Sequence, residues 1–350
     1  MTEFKTGKKT ILVTGGLGFI GSNFVRYLYD RYPSYEILIL DAMTYAADIG
    51  NLPNGSLANG RLRYWYGNVR NAELVGTLVS KSDIVIHFAA ETHVTRSIYD
   101  NLIFFETDVI GTQVVSNAVL KYAERIERFI HISTSEVYGS AVTPQMDEDS
   151  HPLIPQNPYA AAKLGADRLV FSYWATYHIP AVILRPFNNY GPFQHLEKVI
   201  PRFITSCLMN EPLTIHGDGT SSRDWNFVLD TCDAVDRVLH CDIDKIRGEA
   251  INIGSGQSID IASLANLIIR KMNKPKSFLQ YLNDRPGQVV RHVASNRKAK
   301  ELLGWEPSTP FEAGLDRTIE WYANNRPWWE KQLAFRHIPI VLQNGEVVSY

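Results

Sequence analysis

The sequence has few cysteines and no long apolar run. Cysteine occurs only at Cys207, Cys232 and Cys241, with neither metal-ligand spacing nor an even number for disulfides. Its longest apolar stretches have the length of strands, well short of the ~20 residues of a membrane span. Residues 1–10 show no signal-peptide core. We therefore expect three buried thiols, a cytoplasmic location, no metal centre and no membrane association.

The charge is nearly balanced. Lysine and arginine total 35, aspartate and glutamate total 37, and the net charge is −2, so no global field attracts nucleic acid. An anionic ligand must then be bound by a local group of donors. The 45% of hydrophobic residues excludes a disordered chain, and 350 residues suffice for two lobes at ~150 residues per domain.

The first fifty residues have the pattern of a βαβ unit. An apolar run at residues 10–14 precedes a glycine-rich turn, apolar residues at helical spacing follow over residues 22–29, and a second apolar run spans residues 36–41. Further predicted strands at residues 84–88, 129–133 and 181–184 alternate with long predicted helices at residues 104–122 and 159–177. This alternation predicts a Rossmann-type, doubly wound parallel α/β sheet.

The pattern changes near residue 186. Shorter predicted elements follow, with helices over residues 200–208 and 261–272 and a strand over residues 250–254. We predict a Rossmann domain over residues 1–185 and a smaller α/β substrate lobe over 186–330, interleaved with the first domain. We predict a C-terminal appendage over residues 331–350, in which Asn344-Gly345 indicates a hairpin turn.

The glycine turn predicts a dinucleotide site. Gly15, Gly18 and Gly21 have the spacing G-x-x-G-x-x-G between a strand and a helix, where backbone amides can bind a pyrophosphate. Asp41 ends the second strand, and an acid there binds a ribose diol and repels a 2′-phosphate, which favours NAD over NADP. The predicted NAD contacts are Gly15, Gly18, Phe19, Ile20, Asp41, Thr44, Asn68, Val69, Ala89, Ala90, Tyr159 and Lys163.

A Y-x-x-x-K pair predicts acid–base chemistry. Tyr159 and Lys163 lie on one helix face, and a nearby ammonium lowers the pKa of a phenol, so Tyr159 can act as a base toward a hydroxyl. The same spacing also occurs on ordinary surface helices. Thr134 and Glu136 follow the strand at residues 129–133, where functional side chains of such sheets lie, although Glu136 can equally be a solvated loop acid.

Several motifs together resemble the extended short-chain dehydrogenase/reductase superfamily. Within it the chain is most similar to nucleotide-sugar 4,6-dehydratases, especially those of dTDP-glucose. The similarity runs from about residue 9 to about residue 329. Its matching segments are residues 14–21, 41–46, 89–98, 133–139, 159–163, 188–194, 197–201, 223–225 and 284–287.

The resemblance implies a three-step reaction with bound NAD. Tyr159 would deprotonate the sugar 4-hydroxyl during oxidation at carbon 4, Glu136 would remove the proton on carbon 5, and water would leave from carbon 6 before hydride returns there. The dTDP-glucose enzymes typically carry aspartate, the acid for the departing hydroxyl, where this chain has Ser135. GDP-mannose 4,6-dehydratases resemble this chain in having serine before the glutamate.

Other activities remain open at this stage. UDP-glucuronate decarboxylases share the Thr-Ser-Glu-Val-Tyr-Gly segment, so Ser135 and Glu136 do not separate dehydration from decarboxylation. Simple 4-epimerases usually lack the glutamate and are less similar. A non-catalytic NAD-binding regulator would not need Thr134, Glu136, Tyr159 and Lys163 together.

The second half contains the candidate donors for a nucleotide-diphosphate sugar. The resemblance implies a substrate site, and the turn at residues 284–287 is closer to dehydratases than to decarboxylases. It also implies a homodimer formed through the helices at residues 104–122 and 159–177. The tryptophans are expected to pack rather than stack on a base. The predicted substrate contacts are His93, Arg96, Asn188, Asn189, Lys198, Arg223 and Arg291.

Overall fold

The computed structural model describes residues 8–283 and 289–336, and the backbone of two strands beyond them. The turn at residues 284–287 and Asn344-Gly345 lie outside this range. The strands are β1 (Thr10–Thr14), β2 (Glu36–Asp41), β3 (Leu62–Tyr66), β4 (Ile84–His87), β5 (Arg128–Ile132), β6 (Ala181–Pro186), β7 (Asn188–Tyr190), β8 (Leu213–His216), β9 (Ser222–Phe227), β10 (Ala250–Ile253), β11 (Ser258–Asp260), β12 (Leu279–Leu282), β13 (Pro339–Val341) and β14 (Val347–Ser349).

Helices connect these strands. The α-helices are α1 (Phe19–Arg31), α2 (Ala72–Val79), α3 (Val94–Tyr99), α4 (Leu102–Phe104), α5 (Thr112–Lys121), α6 (Pro158–Tyr177), α7 (Val199–Met209), α8 (Val228–His240), α9 (Ile261–Lys271), α10 (Arg297–Leu303), α11 (Phe311–Asn324) and α12 (Arg326–Glu330). A π-helix spans Phe105–Gly111, and 3₁₀ turns lie at Ile49–Asn51, Ser135–Tyr138, Ile243–Lys245, Lys276–Phe278 and Leu333–Phe335.

A parallel sheet of seven strands forms the first lobe, in the order β10-β6-β5-β4-β1-β2-β3. The predicted doubly wound α/β fold is thereby confirmed. The chain runs outward from β1 through β2 and β3, then restarts at β4 on the other side of β1. The carboxyl ends of β1 and β4 therefore border the crevice where such sheets bind ligands.

Alternating side chains of the strands divide the core into two layers. Ile11 and Val13 pack with residues of α1 and α8, whereas Leu12 packs on the opposite face with residues of α2, α5 and α6. Both faces of the sheet are covered, as expected for parallel strands that are apolar along their whole length.

The smaller lobe has a core of its own. Strands β7, β9 and β11 form one sheet, β8 and β12 form another, and helices α7, α9 and α11 pack around them. Trp329 is buried in this core and Trp305 in the first core, so both serve packing. Helix α8 and strand β10 return to the first lobe, so the chain crosses between the lobes after residue 186.

The predicted helix over residues 104–122 is interrupted. It consists of α4, a π-helical segment and α5. Within the π-helical segment, the Asp108 carboxylate accepts a hydrogen bond from the Glu91 amide at 2.8 Å. Apolar spacing does not reveal one extra residue in a turn, and π-helical turns often accompany functional sites.

The C-terminal strands, the helix lengths and the cysteines bear on the other sequence predictions. Strands β13 and β14 pair antiparallel, as the predicted hairpin requires. No helix in the described part of the chain is long and apolar enough to cross a membrane. Cys207 and Cys232 are buried, and Cys241 is partly exposed.

Candidate active site

A cavity of about 480 Å³ lies at the carboxyl ends of the central strands and extends into the second lobe. It brings together residues that are far apart in the chain, and Arg96 and Arg291 are not among those that line it. The predicted site residues that line it are Gly15, Gly18, Phe19, Ile20, Asp41, Thr44, Asn68, Val69, Ala89, Ala90, His93, Thr134, Ser135, Glu136, Tyr159, Lys163, Asn188, Asn189, Lys198 and Arg223.

The glycine turn has the geometry of a pyrophosphate cradle. Gly15 has φ +70°, and a Cβ there would lie 2.5 Å from the Ala89 nitrogen. A Cβ on Gly21 would lie 2.2 Å from the Gly15 carbonyl oxygen. Helix α1 begins with Gly18 as N-cap and no capping side chain, so amides of its first turn are available to an anion in the cavity.

Asp41 completes the nucleotide end of the cavity. Its Oδ2 accepts from the Leu17 amide at 2.9 Å and its Oδ1 from the Met43 amide at 2.8 Å. Burial raises its pKa, and the two amide hydrogen bonds oppose that rise. Each carboxylate oxygen keeps a lone pair for a diol. The cradle and this acid fit the adenosine ribose and pyrophosphate of NAD.

Tyr159 and Lys163 lie one turn apart on α6. The Asn157 side chain caps this helix by accepting from the Ala160 amide at 2.8 Å. The Lys163 ammonium donates to the Ile132 carbonyl at 2.7 Å. Both residues line the cavity, and the carbonyl at the end of β5 fixes the Lys163 ammonium.

The electrostatics of Tyr159 differ from the sequence expectation. Burial raises its pKa, and the hydrogen bond with the Thr134 side chain opposes this rise. The lowering of the Tyr159 pKa expected from Lys163 does not outweigh burial, and the Asp108 and Glu136 carboxylates add to the rise. A positive charge brought by oxidised nicotinamide would favour the tyrosinate in such a site.

The 3₁₀ turn after β5 presents the other acid–base groups. Thr134 caps the turn by accepting from the Glu136 amide at 3.2 Å. Glu136 Oε2 accepts from Asn157 Nδ2 at 3.4 Å, and the side chain keeps 13% of its exposure. Glu136 is therefore a partly exposed carboxylate, and Thr134, which bonds to its amide, also bonds to the Tyr159 hydroxyl.

His292 contacts this turn and was not predicted. It is fully buried, and its Nε2 donates to the Gly139 carbonyl at 2.8 Å. Its Nδ1 accepts from the Ser135 hydroxyl at 3.3 Å and lies 3.9 Å from Glu136 Oε1. Burial lowers its pKa, so the ring is neutral. No local signal marks it, since 157 positions separate it from Ser135.

Asp108 is a second residue that sequence reasoning missed. Its Oδ2 is buried and has no hydrogen-bond partner among the described residues. Burial raises its pKa to about 7, and the Lys163 ammonium opposes that rise. Burial likewise lowers the pKa of Lys163, with Asp108 opposing. The charge of each group therefore favours the charged form of the other.

The predicted substrate arginines differ in their surroundings. Arg223 lines the cavity, where burial lowers its pKa and the Glu136 carboxylate opposes that lowering. Arg96 instead stacks 4.0 Å from the Tyr45 ring and donates from Nε to Glu197 at 3.3 Å. Arg291 donates to the carbonyls of residues 143 and 144 at 3.2 and 2.7 Å.

The polar substrate candidates also differ. His93 caps α3 by accepting from the Arg96 amide at 3.3 Å, and Lys198 donates to the Thr92 carbonyl at 2.9 Å. The Asn189 side chain is bonded at both ends, to the Phe187 carbonyl and the Thr231 hydroxyl.

The Asn188 Oδ1 is buried without a partner among residues 8–283 and 289–336, at the cavity wall. In the same ranges no group of three or more His, Cys, Asp or Glu side chains is arranged to bind a metal.

Comparison with known proteins identifies the family. The family model described as GDP-mannose 4,6 dehydratase matches residues 12–318. The chain belongs to this family. The prediction of a nucleotide-sugar 4,6-dehydratase within the short-chain dehydrogenase/reductase superfamily is confirmed at that level, as are an NAD-dependent lyase and the fold.

Three proteins illustrate the range of similar sequences and structures. The low-salt glycan biosynthesis protein Agl12 of Haloferax volcanii is 44% identical over 312 residues, which cover 89% of this chain and 98% of the relative. The dTDP-glucose 4,6-dehydratase DesIV of Streptomyces venezuelae, solved with NAD, is 39% identical with a TM-score of 0.87 and coverage of 92% and 99%. The UDP-glucuronic acid 4-epimerase of Bacillus cereus is 31% identical with a TM-score of 0.83 and coverage of 90% and 99%.

Proposed function

We propose that this chain converts a nucleotide hexose to its 4-keto-6-deoxy derivative. The observation that carries the proposal is the convergence of Tyr159 and Glu136 on one cavity from different elements. Oxidation at carbon 4 needs one acid–base group, whereas elimination across carbons 5 and 6 needs a second. Similarity to the dTDP-glucose 4,6-dehydratase of Streptomyces venezuelae makes dTDP-glucose the first substrate to test.

The side chains divide the reaction between them. Bound NAD supplies the hydride acceptor and donor. Tyr159 takes the proton of the 4-hydroxyl, with Thr134 bonded to the phenol oxygen and Lys163 holding the adjacent ribose. The ketone at carbon 4 acidifies the proton on carbon 5, which the Glu136 carboxylate removes. Asn157 fixes the orientation of that carboxylate.

We assign the diphosphate to the second-lobe wall. Arg223 and Lys198, which follow residue 186, offer cationic donors on the cavity wall, and Asn188 also lines it. Arg96 and Arg291 are engaged elsewhere, so they act on the substrate only through Glu197 and through the loop at residues 143–144.

A substrate panel tests this function. The purified protein is incubated with dTDP-, UDP-, GDP- and CDP-glucose, GDP-mannose and UDP-glucuronate, and the products are analysed by mass spectrometry. Loss of one water supports the proposal, and loss of carbon dioxide supports decarboxylation. An unchanged mass with inverted carbon 4 supports epimerisation, and NAD binding without any turnover supports a regulator.

We also propose a cytoplasmic homodimer assembled through the helices that flank Tyr159. Leu102, Phe105, Ile110 and Phe171 expose 64%, 40%, 48% and 37% of their surface on α4, the π-helix and α6. Ile110→Asp is expected to yield a monomer by light scattering. Val142→Asp, at an equally apolar exposed position elsewhere, should leave the dimer intact; a monomeric parent protein would refute the assignment.

A further inference from the structure

The departure of water from carbon 6 requires an acid, and the position nearest Glu136 is a serine. A serine hydroxyl is too weak an acid to protonate a leaving hydroxyl by itself at neutral pH. In this chain the Ser135 Oγ is hydrogen-bonded to the buried imidazole of His292, which does not itself line the cavity. The arrangement therefore couples a surface hydroxyl of the cavity to a titratable group behind it.

The tautomer of His292 is determined by its surroundings. The Gly139 carbonyl can only accept, so Nε2 carries the proton and Nδ1 has a free lone pair. Gly139 has φ +70°, and a Cβ there would lie 2.2 Å from the Ile154 carbonyl oxygen. The acceptor of the imidazole is thus part of a turn that no larger residue could form.

The same nitrogen faces both polar side chains of the turn. Nδ1 lies 3.3 Å from Ser135 Oγ and 3.9 Å from Glu136 Oε1. Hydrogen bonds of a catalytic site commonly tighten when substrate binds, so the proposal requires the longer of these distances to shorten in the substrate complex. Among the charged groups around the ring, Glu136 favours the imidazolium form of His292, whereas Arg223 and His151 disfavour it.

We propose that Ser135 and His292 form a relay that returns the carbon 5 proton to the departing hydroxyl. The proposal rests on the dehydratase function proposed above. Ser135 touches the substrate, and His292 acts through it as a positioning and relay residue.

The relay balances protons and charge. Glu136 takes the proton from carbon 5 and passes it to His292 Nδ1, so the imidazolium forms beside the regenerated carboxylate. Nδ1–H then donates to Ser135 Oγ as the Ser135 proton moves to the oxygen on carbon 6. The carbon–oxygen bond breaks, the electron pair from carbon 5 forms the double bond, and water leaves. All three side chains return to their starting protonation states without an external acid.

Partial reactions of the holoenzyme test the relay. His292→Gln keeps a donor for the Gly139 carbonyl but cannot cycle a proton. In D₂O we expect normal oxidation at carbon 4 and deuterium at carbon 5 of an accumulating 4-keto hexose, with water loss slowed about 10²–10⁴-fold, the range of general acid–base catalysis. Ser135→Ala should show the same block, and it guards against misfolding because the change is small.

A rescue experiment separates relay from packing. Ser135→Asp places a carboxylic acid at the cavity, so His292→Gln should slow water loss far less in that background than in the parent. His178→Asn alters an exposed histidine at the C-terminal cap of α6, in a left-handed backbone conformation that asparagine also adopts, and should leave every step unchanged.

Two results would overturn the relay. One is equal slowing of carbon 4 oxidation and water loss by His292→Gln, and the other is native water loss in that variant. Absence of turnover in the parent protein on every sugar would instead refute the proposed function.

Discussion

Arg185 on β6 and Asp167 on α6 form a bidentate ion pair inside the first lobe. Arg185 Nε and Nη2 donate to the two carboxylate oxygens at 2.9 and 3.0 Å, and both side chains are nearly inaccessible. Ser133, next to Thr134, donates to the same carboxylate at 2.7 Å. Burial raises the pKa of Asp167, but Arg185 overcomes this effect and holds the pKa below its ordinary value. The pair anchors α6 to β6, and the Ser133 hydrogen bond links the same carboxylate to the segment between β5 and the catalytic turn.

Removing one member of that pair should be costly. Arg185→Met leaves the Asp167 charge buried, and we expect a loss of about 3–5 kcal/mol in the free energy of unfolding, measured by urea titration. Arg168→Met removes a more exposed partner of the same carboxylate and should cost at most about 1 kcal/mol. Equal losses would contradict the dominant role of Arg185.

The stability should depend on pH through Asp108. Its pKa is raised in the folded protein, so the native state holds an extra proton between the unfolded pKa, about 3.9, and about 7. Stability from this group therefore falls as pH rises through that window.

Asp108→Asn should remove this fall. Its advantage over the parent protein should grow between pH 5 and pH 8 by on the order of 1–3 kcal/mol, since each pH unit below the raised pKa changes the free energy of unfolding by about 1.4 kcal/mol. Denaturant titrations at both pH values measure it. Asp100→Asn, at an exposed aspartate on the preceding segment, should show no such trend; a trend of equal size in both variants would contradict the assignment.

Alanine in the glycine turn should destabilise the fold at Gly15 but not at Gly18. Gly15→Ala combines a left-handed backbone with overlap against the Ala89 backbone, and should cost about 2–4 kcal/mol as well as NAD affinity. Gly18→Ala meets its nearest atom, the Gly15 oxygen, at 3.5 Å, so it should weaken NAD binding with little change in stability. Thermal unfolding and calorimetric NAD titration distinguish the two; similar melting temperatures would argue against the predicted strain.

Glu136→Gln should stop the reaction earlier than His292→Gln. The amide cannot remove the proton on carbon 5, so the 4-keto hexose should accumulate without deuterium from D₂O. Mass spectrometry of quenched single turnovers measures both quantities. Formation of the 4-keto-6-deoxy product at the parent rate would show that Glu136 is not the base.

Local patterns in the sequence determined much of this protein. The alternation of apolar runs with helical spacing predicts the parallel sheet, because each strand and helix must bury its own apolar face. The glycine spacing, Asp41 and the Tyr159–Lys163 pair predict the NAD site. Local geometry suffices for this, because the glycines and Asp41 belong to one βαβ unit, and Tyr159 and Lys163 lie one helical turn apart.

Only the tertiary structure decided the partners of the catalytic groups. Ser135 meets His292 across 157 positions, and Asp108, which interacts electrostatically with Lys163, lies in a π-helical turn that the apolar spacing did not reveal. Arg291 has the right residue type for phosphate, yet its guanidinium bonds to two loop carbonyls. A charged side chain binds whichever acceptors the folded chain brings closest, and long-range packing rather than local spacing determines which these are.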